Sequence, residues 1–441
     1  MKWSVFWIVA VTALSGLLFG YNTAIISTAS LFLIKKFHLK TFQEEIVVSI
    51  ILIGALIGAL GGGTIADRLG RKWTIILTAI VYLISGLFLA LAVDLPMIML
   101  GRFIGGLALG VSSMAAPLYI AEISPPKYRG ALVTSFQLAI TIGILVAYLI
   151  GYAFAETRDW RWMFGVSIIP AIVQWVGMLF APESPRWLLI KNKTEKALSI
   201  LKKLRSGNVG RELEEMQKIE SKTKEGGWKS LFNKAFLAPL ILGIGLSVFQ
   251  QITGINTVFY YAPQIFEITG FATPSKAILA SIAIGTINVI ATIISLWLID
   301  KIGRRKLLLI GIAGMAISLL FLSMGFITHE KGLYDLSLFS LMAYVTFFAI
   351  GLGPCVWLIV SEIYPLHIRA KAMSIAIGFN WICNFIVSLT FLTLVHNLGS
   401  GETFLLYALI CVLAWWFVFK LLPETKGKTL GEIESFWKKK K

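Results

Sequence analysis

Gln250-Gln251-Ile252-Thr253-Gly254-Ile255-Asn256 lies inside an apolar run from Phe236 to Phe266, long enough to cross a bilayer. Polar side chains at mid-membrane depth are costly, and their default reading is functional. Gln and Asn each bring a donor and an acceptor and no charge. That suits an uncharged ligand studded with hydroxyls better than an ion or a phosphate. Tyr260 and Tyr261 follow and offer aromatic faces to the apolar side of such a ligand. Amides that merely hold neighbouring helices together are common in membranes, but three amides and two tyrosines around one glycine favour binding. Convergence carries a condition. At about 100° per residue an unbroken helix sets Gln251 and Asn256 roughly 140° apart. The helix must therefore break between them, and Gly254 with the later Pro263 is where the break is expected.

The rest of the chain reads as membrane too. Of its 441 residues 57% are hydrophobic and 14% charged, with a mean hydropathy of +0.81. No soluble domain of this size has that composition. A formal net charge of +17 would suit nucleic acid, but the Lys and Arg lie in links between apolar runs, so no nucleic-acid partner is expected. Cys355, Cys383 and Cys411 fall within apolar runs and indicate neither a disulfide nor a thiolate metal site. His38, His329, His367 and His396 are scattered over links and run ends, without a nucleophile–base pair or metal spacing. Neither an enzyme nor a metal or other cofactor is expected. The first run carries polar residues and no small-residue cleavage site follows it, so it reads as a spanning helix, not a signal peptide.

Twelve spans are predicted, at 5–34, 46–66, 73–93, 95–121, 131–154, 161–181, 236–269, 275–299, 306–328, 335–361, 371–396 and 402–422. The fold class is an all-α membrane protein of two six-helix halves, 1–181 and 236–422. The charged link 182–235, with apolar spacing at Ala197, Leu201 and Leu204, reads as a small cytoplasmic helical domain, and 423–441 as a cytoplasmic tail. Lys and Arg crowd the links at 67–72, 127–129, 182–235, 300–306 and 369–371. That distribution predicts both termini in the cytoplasm of a multi-pass protein of the cell membrane.

The halves repeat. Asp67-Arg68-Leu69-Gly70-Arg71-Lys72 returns as Asp300-Lys301-Ile302-Gly303-Arg304-Arg305-Lys306, Glu122 with Arg129 as Glu362 with Arg369, and Pro182-Glu183-Ser184 as Pro423-Glu424-Thr425. Parallel repeats of this kind belong to major facilitator transporters. With Gly20-Tyr21-Asn22, Arg102-Phe103-Ile104-Gly105-Gly106, Pro182 to Arg186, Gln250 to Asn256, Gly353-Pro354 with Trp357, and Pro423 to Gly427, the chain resembles the sugar porters of that superfamily. Bacterial xylose–proton and glucose–proton symporters and mammalian facilitative glucose transporters are the similar proteins. The Asp-x-x-Gly-Arg-Lys element marks only the superfamily; the two Pro-Glu motifs with Gln-Gln-x-x-Gly-Ile-Asn are specific to sugar porters.

The resemblance implies a site in which Gln137, Gln250, Gln251, Asn256, Asn288, Trp357 and Asn380 surround a monosaccharide, with Phe19, Tyr261, Trp381 and Asn384 nearby. It implies alternating access, with a hexose such as glucose as substrate and xylose as the alternative. Asp67, Arg71, Glu122, Arg129 and Glu183, with Asp300, Arg304, Glu362, Arg369 and Glu424, read as a cytoplasmic gate whose charges pair across the halves when the inside is closed. Family symporters carry Asp after Gly-Tyr in the first span, where this chain has Asn22; Arg102, the partner of that Asp, remains. An amide does not titrate. A facilitative uniporter is expected, with a proton symporter as the alternative and a membrane sugar sensor as a distant one. A monomer in the lipid bilayer completes the expectation.

Overall fold

The computed structural model describes residues 3–125, 128–205, 209–210, 212–214, 216, 231, 234–268, 273–327, 334–364 and 368–424. The predicted tail from residue 425, much of the link between 206 and 233, and His329 and His367 lie outside the described residues. Among these residues the regular structure is helical. Seven helices lead to the end of the sixth span: α1 (Trp3–Phe37), α2 (Thr41–Leu69), α3 (Arg71–Ala90), α4 (Leu95–Ile123), α5 (Arg129–Ala153), α6 (Trp160–Gly165) and α7 (Ile168–Phe180). The link holds α8 (Pro185–Ile190) and α9 (Thr194–Leu204). Then come α10 (Lys234–Ile252), α11 (Ile255–Ile268), α12 (Pro274–Ile302), α13 (Arg304–Ile327), α14 (Tyr334–Ile350), α15 (Leu352–Glu362), α16 (Arg369–Leu398) and α17 (Ser400–Leu421). Among the described residues twelve stretches are long and apolar enough to span a membrane, from Ser4–Phe37 to Ser400–Leu421. A helix satisfies its own backbone, which lipid demands.

Short links make successive spans run in alternate directions, so the bundle has a basal end, carrying Trp3 and Leu422, and a far end. In lipid apolar side chains gain little by leaving their surroundings, so helices associate through close packing and small residues. Here α2 and α4 meet on glycine: a Cβ on Gly110 would lie 2.0 Å from the carbonyl oxygen of Ala55. The link has its own small core, in which Leu188 of α8 packs with Ala197 and Leu201 of α9 and with Leu213. Ser184 caps α8 by accepting from the Trp187 backbone N–H at 3.2 Å, with Pro185 at the first helical position.

Three spans are interrupted. The seventh stops at Ile252 and resumes at Ile255, with Gly254 at φ +91, the break that the sequence requires. A second kink falls at Tyr261 (φ −127, ψ 15), two residues before Pro263. The sixth span divides between Gly165 and Ile168, and the tenth at Gly351. The second span begins at Thr41 rather than at 46, because Gln43 Oε1 accepts from the Lys40 N–H at 3.0 Å and extends the helix outward. That extension draws Glu44 and Glu45 into the bundle.

Gly110→Val should destabilise the protein by about 1–3 kcal/mol through overpacking, seen as a lower melting temperature in detergent. Gly130→Ala, where a Cβ meets nothing within 4 Å, should leave it unchanged. Equal melting of the two variants would refute the close-packed α2–α4 crossing.

Candidate functional site

The break at Gly254 lets two side chains of one span face each other. Asn256 Nδ2 donates to Gln251 Oε1 at 2.6 Å, and Gln251 Nε2 donates to Asn380 Oδ1 at 3.1 Å. Asn380 Nδ2 in turn donates to Gln250 Oε1 at 2.8 Å and to the Ser247 carbonyl at 3.0 Å. Gln250 Nε2 reaches the carbonyls of Leu352 (2.9 Å) and Gly353 (3.2 Å), just past the break in the tenth span. One chain of amides thus joins α10, α11, α15 and α16. A carbonyl oxygen has two lone pairs, so these two at the start of α15 can accept from a glutamine side chain as well as from their own helix.

Other site residues expected from the sequence have polar groups that are not spent. Trp381 Nε1 is a buried donor that meets no acceptor among the described residues, and its ring lies 5.8 Å from that of Phe19 on α1. Among the described residues Gln137 and Asn288 make no side-chain hydrogen bond, although Asn288 is only 3% exposed. Trp357, on the segment after Gly351, is 36% exposed. Asn384 Nδ2 lies 3.4 Å from the Tyr260 hydroxyl, and Tyr261 donates to the Ser388 carbonyl at 3.0 Å. An unmet buried polar group costs about 1–3 kcal/mol. A ligand with several hydroxyls and no charge would relieve that cost, since the local donors and acceptors are neutral.

Arg102 is 1% exposed and lies beside Asn22. Its guanidinium donates to the carbonyls of Asn22 (2.9 Å), Val48 (2.8 Å) and Val47 (3.3 Å). The Asn22 amide turns back to its own helix and donates to the Leu18 carbonyl at 2.9 Å. Backbone dipoles therefore neutralise this arginine, and no carboxylate among the described residues pairs with it.

At the basal end the repeated charges form two matching clusters. Arg71 pairs with Asp67 at 3.0 Å and with Glu122 at 3.1 Å, and Glu122 also accepts from the Ser184 hydroxyl. Arg304 lies 3.5 Å from Glu362. Glu183 accepts from the backbone N–H groups of Arg71 (2.9 Å) and Lys72 (3.1 Å), so it caps α3. Glu424 does the same for α13 through Arg304 (3.1 Å) and Arg305 (3.2 Å). A carboxylate at a helix N-terminus is favoured by the dipole. The glycines explain the fit: Gly70 (φ +98) and Gly303 (φ +97) leave room for these carboxylates, and a Cβ on Gly70 would stand 2.3 Å from Glu183 Oε2. Burial pushes the Glu183 carboxyl above the ordinary carboxylate range, against the backbone N–H donors of Ser184, Lys72 and Arg71 that favour its charged form. The ion pairs each join residues of one set of six spans, and Glu183, Ser184 and Glu424 each bind the set whose last span they follow. Arg129 is exposed at the start of α5, while Asp300 stands near the end of α12 and Arg369 at the start of α16.

Sequence reasoning missed partners that are backbone atoms, such as the carbonyls of Ser247, Leu352 and Gly353, because any residue type supplies them. It also missed Tyr148, whose hydroxyl donates to the Phe259 carbonyl at 3.1 Å and ties α5 to α11. Glu44 and Glu45 fall outside the span expected from residue 46, and the helix that starts at Thr41 takes them in.

A family model described as "Sugar (and other) transporter" matches residues 8–437. The chain is 41% identical to the glucose transporter GlcP of Staphylococcus epidermidis, over 98% of this chain and 97% of that one. It is 39% identical to the galactose–proton symporter of Escherichia coli, over 97% and 93%. A partially occluded inward-open structure of the xylose transporter XylE from E. coli superposes with a TM-score of 0.86 at 33% identity, covering 97% of this chain and 100% of that one. Twelve apolar helices and relatives of this kind make it a multi-pass plasma-membrane protein. With the family model spanning nearly its whole length and close relatives that are transporters rather than enzymes, the chain belongs to the sugar porters of the major facilitator superfamily.

Proposed function

We propose that the protein carries a monosaccharide, a hexose such as glucose, across the membrane by alternating access. The observation that carries this is the amide chain around the Gly254 break, with the unspent Trp381 donor next to Asn380; Gln137 and Asn288 are assigned to the same site in this reading. Phe19 and Tyr261 supply apolar faces, and Asn384 and Trp357 complete the wall. The glucose transporter and the symporters among its relatives support the substrate class. The basal end, rich in Lys and Arg, is the cytoplasmic one. Segments 1–181 and 236–422 rock as bodies about the site, joined by 182–235, and the transporter works as a monomer. In this reading the basal clusters stiffen each body, and Arg129 and Arg369 pair across the bodies when the cytoplasmic side closes.

The transport is facilitative in our reading, because Asn22 does not titrate and Arg102 is satisfied by carbonyls. Proton symport is the second reading, favoured by the proton symporters among the relatives and by two buried carboxylates, Glu44 and Glu45, at the far end.

Gln251→Ala strips acceptor and donor from Asn256 and Asn380 at once, and at about 1–3 kcal/mol sugar affinity should fall by roughly tenfold to a hundredfold. Equilibrium binding to the purified protein measures it; unchanged affinity after alanine at Gln250, Gln251 and Asn256 together would dismiss the site. A panel of labelled monosaccharides offered to proteoliposomes, with and without an imposed pH gradient, tests the rest. Equilibration indifferent to the gradient is expected. Accumulation that a protonophore collapses would establish symport instead. Asn22→Asp should bring a titratable carboxyl to Arg102, and uptake should then depend on pH where that of the parent does not.

A further inference from the structure

At the far end the two sets of six spans are tied by side chains that no sugar requires. Glu45 on α2 is fully buried. Its Oε1 accepts from the backbone N–H of Thr393 at 2.7 Å, and its Oε2 accepts from the Thr393 hydroxyl at 2.7 Å. Thr393 belongs to α16, so both bonds cross from the first set to the last. One residue earlier, Glu44 accepts from the Gln264 side chain on α11, past the kink at Tyr261. Tyr148 adds a third crossing, from α5 to the Phe259 carbonyl. The basal ion pairs described above stay within a set, so this structure is clasped at the far end.

A carboxylate is a poor choice for a permanent staple. Taking its charge out of water costs several kcal/mol, and the bonds it gains roughly offset that cost. For a contact that must be broken in every cycle the same balance is an advantage. When the helices part, Glu44, Glu45, Gln264 and Thr393 all recover water, and the open state loses little. Two charge-assisted bonds to one residue also impose a geometry that an apolar contact does not. The position is suited to relaying the site's state. Arg102 is bound to the carbonyls of Val47 and Val48, within one turn of Glu45, and Gln264 lies on the same broken span as Gln251 and Asn256.

We propose that Glu45 with Thr393, seconded by Glu44 with Gln264, is the outer latch, which holds the extracellular mouth shut while the cytoplasmic mouth is open. The proposal rests on the alternating-access reading, not on the identity of the sugar.

The test uses the full chain in lipid nanodiscs, with Cys355, Cys383 and Cys411 changed to alanine and spin labels at Val93→Cys and Leu398→Cys, two exposed far-end sites on opposite sets. The parent should give mainly the short distance. Glu45→Ala should raise the ratio of long to short distances about tenfold, since bonds to a charged group are lost. Glu45→Gln, which preserves volume and can still accept one donor, should shift it less. Thr393→Val, which keeps the backbone donor, should also give a smaller shift, and it serves if Glu45→Ala does not fold. Distance distributions unchanged in both Glu45→Gln and Thr393→Val would overturn the latch. Sugar counterflow on the same samples separates the two readings. Unchanged distances with normal counterflow would sink the latch alone, whereas shifted distances in a parent that exchanges no monosaccharide would uphold the latch and sink the sugar.

Discussion

Buried amides need partners, and in this protein that requirement holds the seventh span in its broken form. An uninterrupted helix would send Gln251 and Asn256 to different sides; the positive φ of Gly254 turns them toward one another. Once turned, each has to be satisfied away from water, and the partners are found on α16 and at the carbonyls of the interrupted tenth span. The two breaks are thus tied by a single bridge through Gln250. A change of shape in either segment must be felt in the other, which is the coupling that a moving carrier needs.

The second constraint is charge. Several ionic groups inside the bundle have a structural task that limits their cost. Arg102 is surrounded by backbone carbonyls, Glu183 and Glu424 cap the helices that follow the repeated glycines, and Glu45 grips Thr393. None of these is a simple pair of opposite charges in isolation. Each instead uses fixed dipoles or several donors, the arrangement by which a low-dielectric interior tolerates a charge. The duplicated capping carboxylates also give the repeat a physical meaning. A motif that reads as Pro-Glu near one end of a half is needed because a glycine turn more than a hundred residues earlier leaves a helix N-terminus exposed.

Neutral and charged chemistry are consequently separated along the bundle. Around the Gly254 break the polar groups described are amides, indoles and phenols; the carboxylates and guanidinium groups described gather toward the ends, Arg102 with Glu45 at the far one. In the proposed cycle a neutral substrate would be held between the ends without bringing a charge through the membrane, while opening and closing would be governed by groups that regain water when released.

Much of this was legible in the order of residues, for reasons that are local. Hydropathy along the chain determined twelve spans to within a few residues, because a helix must be as long as the hydrocarbon is thick. The amides at 250, 251 and 256 and the glycine between them determined that the seventh span had to break, since helical angles allow no other convergence. The repeated Asp-x-x-Gly-Arg and Pro-Glu elements marked the two halves. Other facts lay only in tertiary structure. No pattern says that Gln250 will bond the carbonyls of Leu352 and Gly353, because a carbonyl is common to all residues. Nor does any pattern say that the repeated charges will serve within a half rather than between halves in this state. Glu44 and Glu45 read as loop residues until the far ends of α2, α11 and α16 were brought together, and only that juxtaposition turns two surface carboxylates into buried ones.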